Sequence, residues 1–217
     1  MRSRDAAGQR VAALVRESAG WLLLARLFEC PTERWRREVT ALAGEIDDPA
    51  LQAAARATLD AATEGQYHSV FGPGGPASAR EVGYHDGLEL GSLMSELTGY
   101  YHAFGYPVVE GEPPDHVAVE IGFLAYLRLK EAYAVASGQE ERAAVARDAA
   151  ARFRVDHLAR FAAPMAGLLA QSGLDHLAQA SVLLATRIGE PPRRPLLPVI
   201  PADLLTEDDS DFPCGNS

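Results

Sequence analysis

The sequence predicts an all-α protein, a single-domain helical bundle of eight or nine helices, and three observations carry that expectation. Among 217 residues, Ala (38) and Leu (26) far outnumber Val (14) and Ile (4). Ala and Leu lose little side-chain freedom in a helix, whereas β-branched residues favour the pleated sheet. Apolar residues recur at spacings of three and four along most of the chain, and no two segments alternate as a strand pair would.

The first helix is expected from Gln9 to Glu29, with Val11, Leu14, Val15, Leu22 and Leu27 on its apolar stripe and Pro31 as its stop. A second spans Thr32 to Glu45 and closes at the turn-forming Asp47-Asp48-Pro49, and an Ala-rich third runs from Ala50 to about Thr63. Tyr67 to Gly87 then collects Gly72, Pro73, Gly74, Gly75, Pro76, Gly83 and Gly87, and reads as a long connection anchored by Tyr67, Phe71 and Tyr84. Within it Phe71, Gly72 and Pro73 are expected to form a hinge or the wall of a groove. Gly72, Gly74 and Ala77 meet a relaxed phosphate-loop spacing, but the prolines remove backbone donors and no strand precedes them.

Leu90, Leu93, Met94, Leu97, Tyr101 and Phe104 mark an amphipathic helix ended by Gly105. The next helix opens with Pro113 and Pro114, carries Asp115 in its first turn and runs to about Ala136. Two more are predicted over Gln139–Phe153 and Val155–Gln171. The second turns Leu158, Phe161, Met165 and Leu168 inward and should kink at Pro164. The last uses Leu174, Leu177, Ser181, Leu184 and Ile188 before Pro191. Residues 1–189 are thus expected to form one helical domain. Residues 190–217, with five prolines between Pro191 and Pro201 and then Glu207-Asp208-Asp209-Ser210-Asp211, should form an extended or disordered acidic tail.

Composition excludes several classes of function. The net charge is −10, and the 20 basic residues include a single lysine, Lys130. That balance argues against a general nucleic-acid binder and rules out a Walker A loop. Cys30 and Cys214 make no metal or redox spacing. The start carries no secretory pattern and no apolar stretch is long enough to span a bilayer, so a cytoplasmic protein without stable membrane insertion is expected.

The most specific string is Glu112-Pro113-Pro114-Asp115-His116, with Glu120 one turn beyond His116. It reads either as a well-made helix start with a His–Glu surface pair or as a functional loop. Asp156-His157 and Asp175-His176 also sit near expected helix starts. HExxH and GxSxG are absent, so neither a zinc protease nor a nucleophile elbow is indicated. Glu89, Glu96, Glu110, Glu112, Asp115 and Glu120 follow one another with no Arg or Lys between Arg80 and Arg128. They form either a solvated face or an acidic groove that attracts a basic peptide.

Four segments, in order, resemble the TorD/DmsD/NarJ family of chaperones for molybdenum-containing oxidoreductases. They are Tyr67-His68-Ser69-Val70-Phe71-Gly72-Pro73 with Glu81 and Tyr84; Gly99-Tyr100-Tyr101-His102-Ala103-Phe104-Gly105; Glu112-Pro113-Pro114-Asp115-His116 with Glu120 and Phe123-Leu124-Ala125-Tyr126-Leu127; and Phe153 with Asp156-His157-Leu158-Ala159-Arg160-Phe161. The resemblance implies a non-catalytic all-α chaperone with no cofactor or metal of its own. It would bind the apo catalytic subunit, at its twin-arginine signal peptide or body, until the molybdopterin guanine dinucleotide cofactor is inserted, and so time export. Molybdenum-cofactor biosynthesis proteins are further expected partners, and Tyr84, Glu112, Pro114, Asp115 and His116 would lie at the peptide-binding site. With Glu120 added to that set, the carboxylates from Glu112 to Glu120 are expected to pair with client arginines. Asp115→Ala or His116→Ala should then weaken binding without unfolding the protein. The competing expectation is a helical metal-dependent hydrolase built from His116, Glu120, Asp156 and His157.

Overall fold

The computed structural model describes residues 2–85, 90–108 and 112–189, with side chains from residue 5 onward. Gly87, Glu89, Glu110, Cys214 and the expected tail lie outside the described residues. Within them the chain forms α1 (Arg2–Arg26), α2 (Glu33–Glu45), α3 (Pro49–Ala61), α4 (Glu64–Phe71), α5 (Leu90–Phe104), α6 (Val117–Ala136), α7 (Glu140–Phe153), α8 (Ala159–Leu169) and α9 (Asp175–Ile188). A 3-10 turn, Glu81–Tyr84, lies between α4 and α5, and a π turn, Arg154–Leu158, joins α7 to α8. The all-α expectation holds: among the described residues the only β pairing is an isolated antiparallel bridge between Arg80 and His116.

α6 is the central element, because nine consecutive residues from Val117 to Ala125 are buried. A helix hidden all round its surface belongs inside the bundle rather than on its face. α1 packs along it on one side and α7 on another, while α2, α3, α8 and α9 pack among themselves around the remaining core. At its centre the Phe123 ring meets those of Tyr100, Tyr101, Phe104, Tyr106 and Phe153, with centroids 4.8–6.2 Å away. Such aromatic packing adds edge-to-face attraction to the area buried. Gly122 permits the close approach of Tyr106, since a Cβ there would sit 2.6 Å from the phenol oxygen. The buried Glu131 is held between Arg10 and Arg128, each 3.1 Å away, which fastens α1 to α6.

Helix starts follow local chemistry. Thr32 accepts from the Trp35 N–H at 3.2 Å, and Asp48 Oδ1 accepts from Ala50 and Leu51 at 3.0 Å, with Pro49 in the first helical position. α4 corrects the expectation of an uninterrupted loop from Tyr67. Thr63 and Gln66 form a capping box, and the helix runs through Tyr67 to Phe71 before the breakers begin at Gly72. There a Cβ would meet the His68 carbonyl oxygen at 2.3 Å, so glycine is required where the chain leaves the helix.

Other expectations change. α6 begins at Val117 with His116 as its cap, so Pro113, Pro114 and Asp115 precede the helix instead of forming its first turn. α1 begins at Arg2 and ends at Arg26. Val15 and Leu168 are exposed, because the faces that α1 and α8 bury are narrower than their apolar stripes. Near Pro164 the hydrogen-bond register changes not at the proline but earlier, at the π turn, where His157 is buried. Phe123→Ala should lower stability by about 3–5 kcal/mol, read as a fall in the urea midpoint with an unchanged slope.

Candidate functional site

The site forms where the segment before the 3-10 turn crosses the start of α6. The Glu81 N–H donates to the Asp115 carbonyl and the Val117 N–H to the Ala79 carbonyl, both at 2.8 Å, around the Arg80–His116 bridge. Asp115 is fully buried, and Arg80 Nε donates to its Oδ1 at 2.8 Å while the Val82 N–H reaches Oδ2 at 3.4 Å. The acidic stretch therefore has a cation after all, supplied by tertiary folding from the last basic residue before it. Arg80 stays 38% exposed, so its charge is partly hydrated while its partner's is not.

His116 caps α6. Its Nδ1 accepts from the Ala118 N–H at 3.2 Å, which leaves the proton on Nε2, 3.0 Å from the Tyr67 hydroxyl. Burial holds this imidazole below its ordinary value of 6.5, against the opposing pull of Glu112 and Asp115. The loop is pinned further by Tyr101, whose hydroxyl donates to the Pro114 carbonyl, and by Tyr84, which donates to the Ser78 carbonyl, both at 2.7 Å. Burial pushes the Tyr84 phenol up to about 12, so it remains a donor.

Behind this crossing lies a second layer. Glu81 is buried; its Oε1 accepts from His85 Nε2 at 2.8 Å and its Oε2 from His157 Nδ1 at 3.0 Å. Glu120 is buried beside it, and neither of its oxygens has a hydrogen-bond partner among the described residues. Burial, and then the charges of Glu81 and Asp115, raise Glu120 well above the usual carboxylate range. Glu81, Glu120 and His157 offer three donor atoms within 4.8 Å of one another, and Cys30, Glu64 and His68 form a second such set nearer the surface.

The fold thus brings Asp115, His116, Pro114 and Tyr84 into one crossing, with Glu120 in the layer behind, but it turns most of them inward. Of the carboxylates from Glu112 to Glu120, Glu112 is the half-exposed one, 49% accessible and 3.9 Å from His116 Nε2. Phe71 packs on Tyr67 at 5.2 Å, and Gly72 and Pro73 form the turn after α4. The four residues of the hydrolase reading do not come together: Glu120 and His157 share a donor set with Glu81, while His116 and Asp156 belong to neither set among the described residues. Sequence reasoning missed Arg80, Glu81, His85 and Tyr67 as members of the network. A signal existed for Arg80, the last cation before an acidic stretch.

The outward chemistry is largely apolar. Between α5, α6 and α7 a groove of about 490 Å³ is lined by Phe104, Tyr126, Leu129, Tyr133 and Val145, with the cations Lys130 and Arg142 beside them. It shares Phe104 and Val145 with a second hollow of about 460 Å³ whose rim carries Glu96, Asp148 and Arg152. Tyr133 and Val145 are 72% and 60% exposed, a large apolar surface for a solvated helix pair. No described helix is long and apolar enough to cross a membrane.

Fold and site together define an all-helical protein that spends its buried acids and imidazoles on joining chain segments and presents an apolar groove outside. Residues 33–180 match the family model described as the nitrate reductase delta subunit, and the chain belongs to that family. The TorD/DmsD/NarJ resemblance is thereby borne out. A chlorate reductase assembly chaperone protein from Ideonella dechloratans is 33% identical over 150 residues, covering 65% of this chain and 70% of that protein. A solved structure from Archaeoglobus fulgidus, described as a redox enzyme maturation protein, superposes with a TM-score of 0.52 at 20% identity. That likeness covers 79% of this chain and 93% of the other, and it supports the fold.

Two outcomes follow from the geometry. Asp115→Ala should destabilise the protein by about 2 kcal/mol, less than a wholly buried pair would cost because Arg80 can rehydrate. Chemical denaturation measures it, and replaces the expectation that this substitution leaves stability untouched. Because His116 has its folded value below its unfolded one, its neutral form contributes stability above pH 6.5 that is lost as pH falls through that value. His176, lowered mainly by burial, adds in the same direction. His116→Asn keeps a capping side chain but removes the titration, so its denaturation midpoint should fall less than that of the wild type as pH is lowered from 6.5.

Proposed function

We propose that the protein is an assembly chaperone that binds the apo catalytic subunit of a molybdopterin-containing oxidoreductase and performs no catalysis of its own. What carries this reading is the family match over residues 33–180, read together with the name of the chlorate reductase relative. The geometry agrees with it, since the ionisable residues are engaged with one another while an apolar groove faces outward. The chaperone works in the cytoplasm, where the client is made, and releases the subunit once the molybdopterin guanine dinucleotide cofactor is in place, delaying export until then. The cofactor belongs to the client, and the proteins that deliver it are the natural further partners; nucleic acid is not one.

In this reading the client's signal region supplies both halves of the contact. Such a region places a cationic stretch before an apolar one. The apolar stretch lies in the groove of Phe104, Leu129, Tyr133 and Val145, and the cationic stretch meets exposed carboxylates, Glu96 and Asp148 at the rim and Glu112 at the loop. Helix-in-groove docking of this kind draws affinity from buried apolar anchors and orientation from charge. Asp115 and His116 act one step back, by fixing the loop that carries Glu112.

Co-expression of the tagged chaperone with the apo catalytic subunit of its reductase tests the reading. The wild type should retain the subunit on an affinity column. Tyr133→Asp with Val145→Asp should weaken binding by about tenfold or more at an unchanged melting temperature. Failure of the wild type to retain any apo subunit would overturn the assignment, and equal retention by the double variant would remove the groove from the contact.

A further inference from the structure

In the interior behind the crossing, one carboxyl group has no hydrogen-bond partner among the described residues. Glu120 is wholly buried with both oxygens unsatisfied, and the His157 Nε2 atom is buried and unsatisfied as well. Native proteins bury a carboxylate only with a compensating proton, hydrogen bond or cation. Two carboxylates and an imidazole converge at this point, with one donor atom from each within 4.8 Å of the others.

We propose that Glu81, Glu120 and His157 form a buried site for a divalent first-row transition metal, zinc foremost, which clamps the 3-10 turn, α6 and the π turn to one another. Zinc bonds to carboxylate oxygen and imidazole nitrogen are about 2.0–2.2 Å long, so the ligand atoms of a zinc ion lie roughly 3–4 Å apart. Glu81 Oε2 and His157 Nδ1, 3.0 Å apart, already span one such edge. The donor set selects against the hard cations: calcium takes six to eight oxygens, and magnesium keeps several waters that a closed interior does not supply. Imidazole with carboxylate suits zinc, iron and manganese.

Charge and the surrounding groups point the same way. Glu81, and Glu120 once its proton is displaced, would together supply two negative charges for a divalent ion, while the neighbouring Asp115 is already matched by Arg80. One ligand is also oriented from behind: His85 Nε2 lies 2.8 Å from Glu81 Oε1. On binding, the proton on the Glu120 carboxyl is released to solvent and the one that His157 Nδ1 donates to Glu81 moves to solvent or to Nε2, so that a carboxylate oxygen and the nitrogen lone pair go to the metal. The ligands stand 39 and 37 residues apart in sequence (81 to 120, 120 to 157), so no short motif announces them.

The full-length protein, loaded with zinc and freed of excess by gel filtration, should retain about one zinc per chain. Glu120→Gln, with folding checked by circular dichroism, should lose that metal. His68→Ala, which breaks the Cys30–Glu64–His68 set, should keep it. A chelator should lower the melting temperature of the wild type but not of Glu120→Gln. In the wild type, cobalt(II) substituted for zinc should show ligand-field bands without a thiolate charge-transfer band, a result that does not depend on any variant folding. Substoichiometric zinc after loading, zinc lost from His68→Ala but kept by Glu120→Gln, or a thiolate band from Cys30 would each overturn the proposal.

Discussion

The ion pair between Asp115 and Arg80 is the contact on which the rest of the site depends. It pins residues 79–82 against the first turn of α6, and the backbone bonds from Glu81 to Asp115 and from Val117 to Ala79 complete the crossing. With those two segments in register, Glu81 can point only inward, toward His85 and His157. A charge placed at zero exposure in this way is costly unless its partners are fixed, so the surrounding loop is held by hydroxyls from Tyr67, Tyr84 and Tyr101 rather than left to solvent.

That arrangement divides the labour of the molecule. Glu120 apart, the acids and imidazoles of the crossing join α4, α6, the 3-10 turn and the π turn. What remains available to another polypeptide is the apolar surface between α5, α6 and α7 with its few charged rim residues. An inward polar network also makes the interior specific: a one-residue slip of α6 would strand Asp115, His116 and Glu120 together, since each has a different set of neighbours.

Helix positions were largely legible in the sequence because they depend on local chemistry. Thr32 and Asp48 mark helix starts by what their own side chains do to nearby N–H groups, whereas α6 starts at Val117 with His116 as its cap, beyond the proline pair expected to open it. Where the reading failed, a local signal was outweighed: the Thr63–Gln66 capping box was passed over in favour of the glycines that follow it. The candidate site was half legible. Its residues were named, yet whether Asp115 faced a client arginine or Arg80 of its own chain could not be read from spacing, because the two lie 35 positions apart.

By itself the sequence determined the helical class, most helix boundaries, the family resemblance and the set of ionisable residues near the start of α6. The class and the boundaries follow from composition, periodicity and capping, and the resemblance from four short motif segments, all of them read over a few residues at a time. Only the tertiary structure decided which way those side chains face. It folded Arg80 onto Asp115, used the π turn to bring His157 to Glu81, and left Tyr133 and Val145 on the surface while Glu120 went inside. The reason is physical: burial is a property of the packed whole, and a carboxylate's meaning changes once water is gone and its neighbours come from distant parts of the chain.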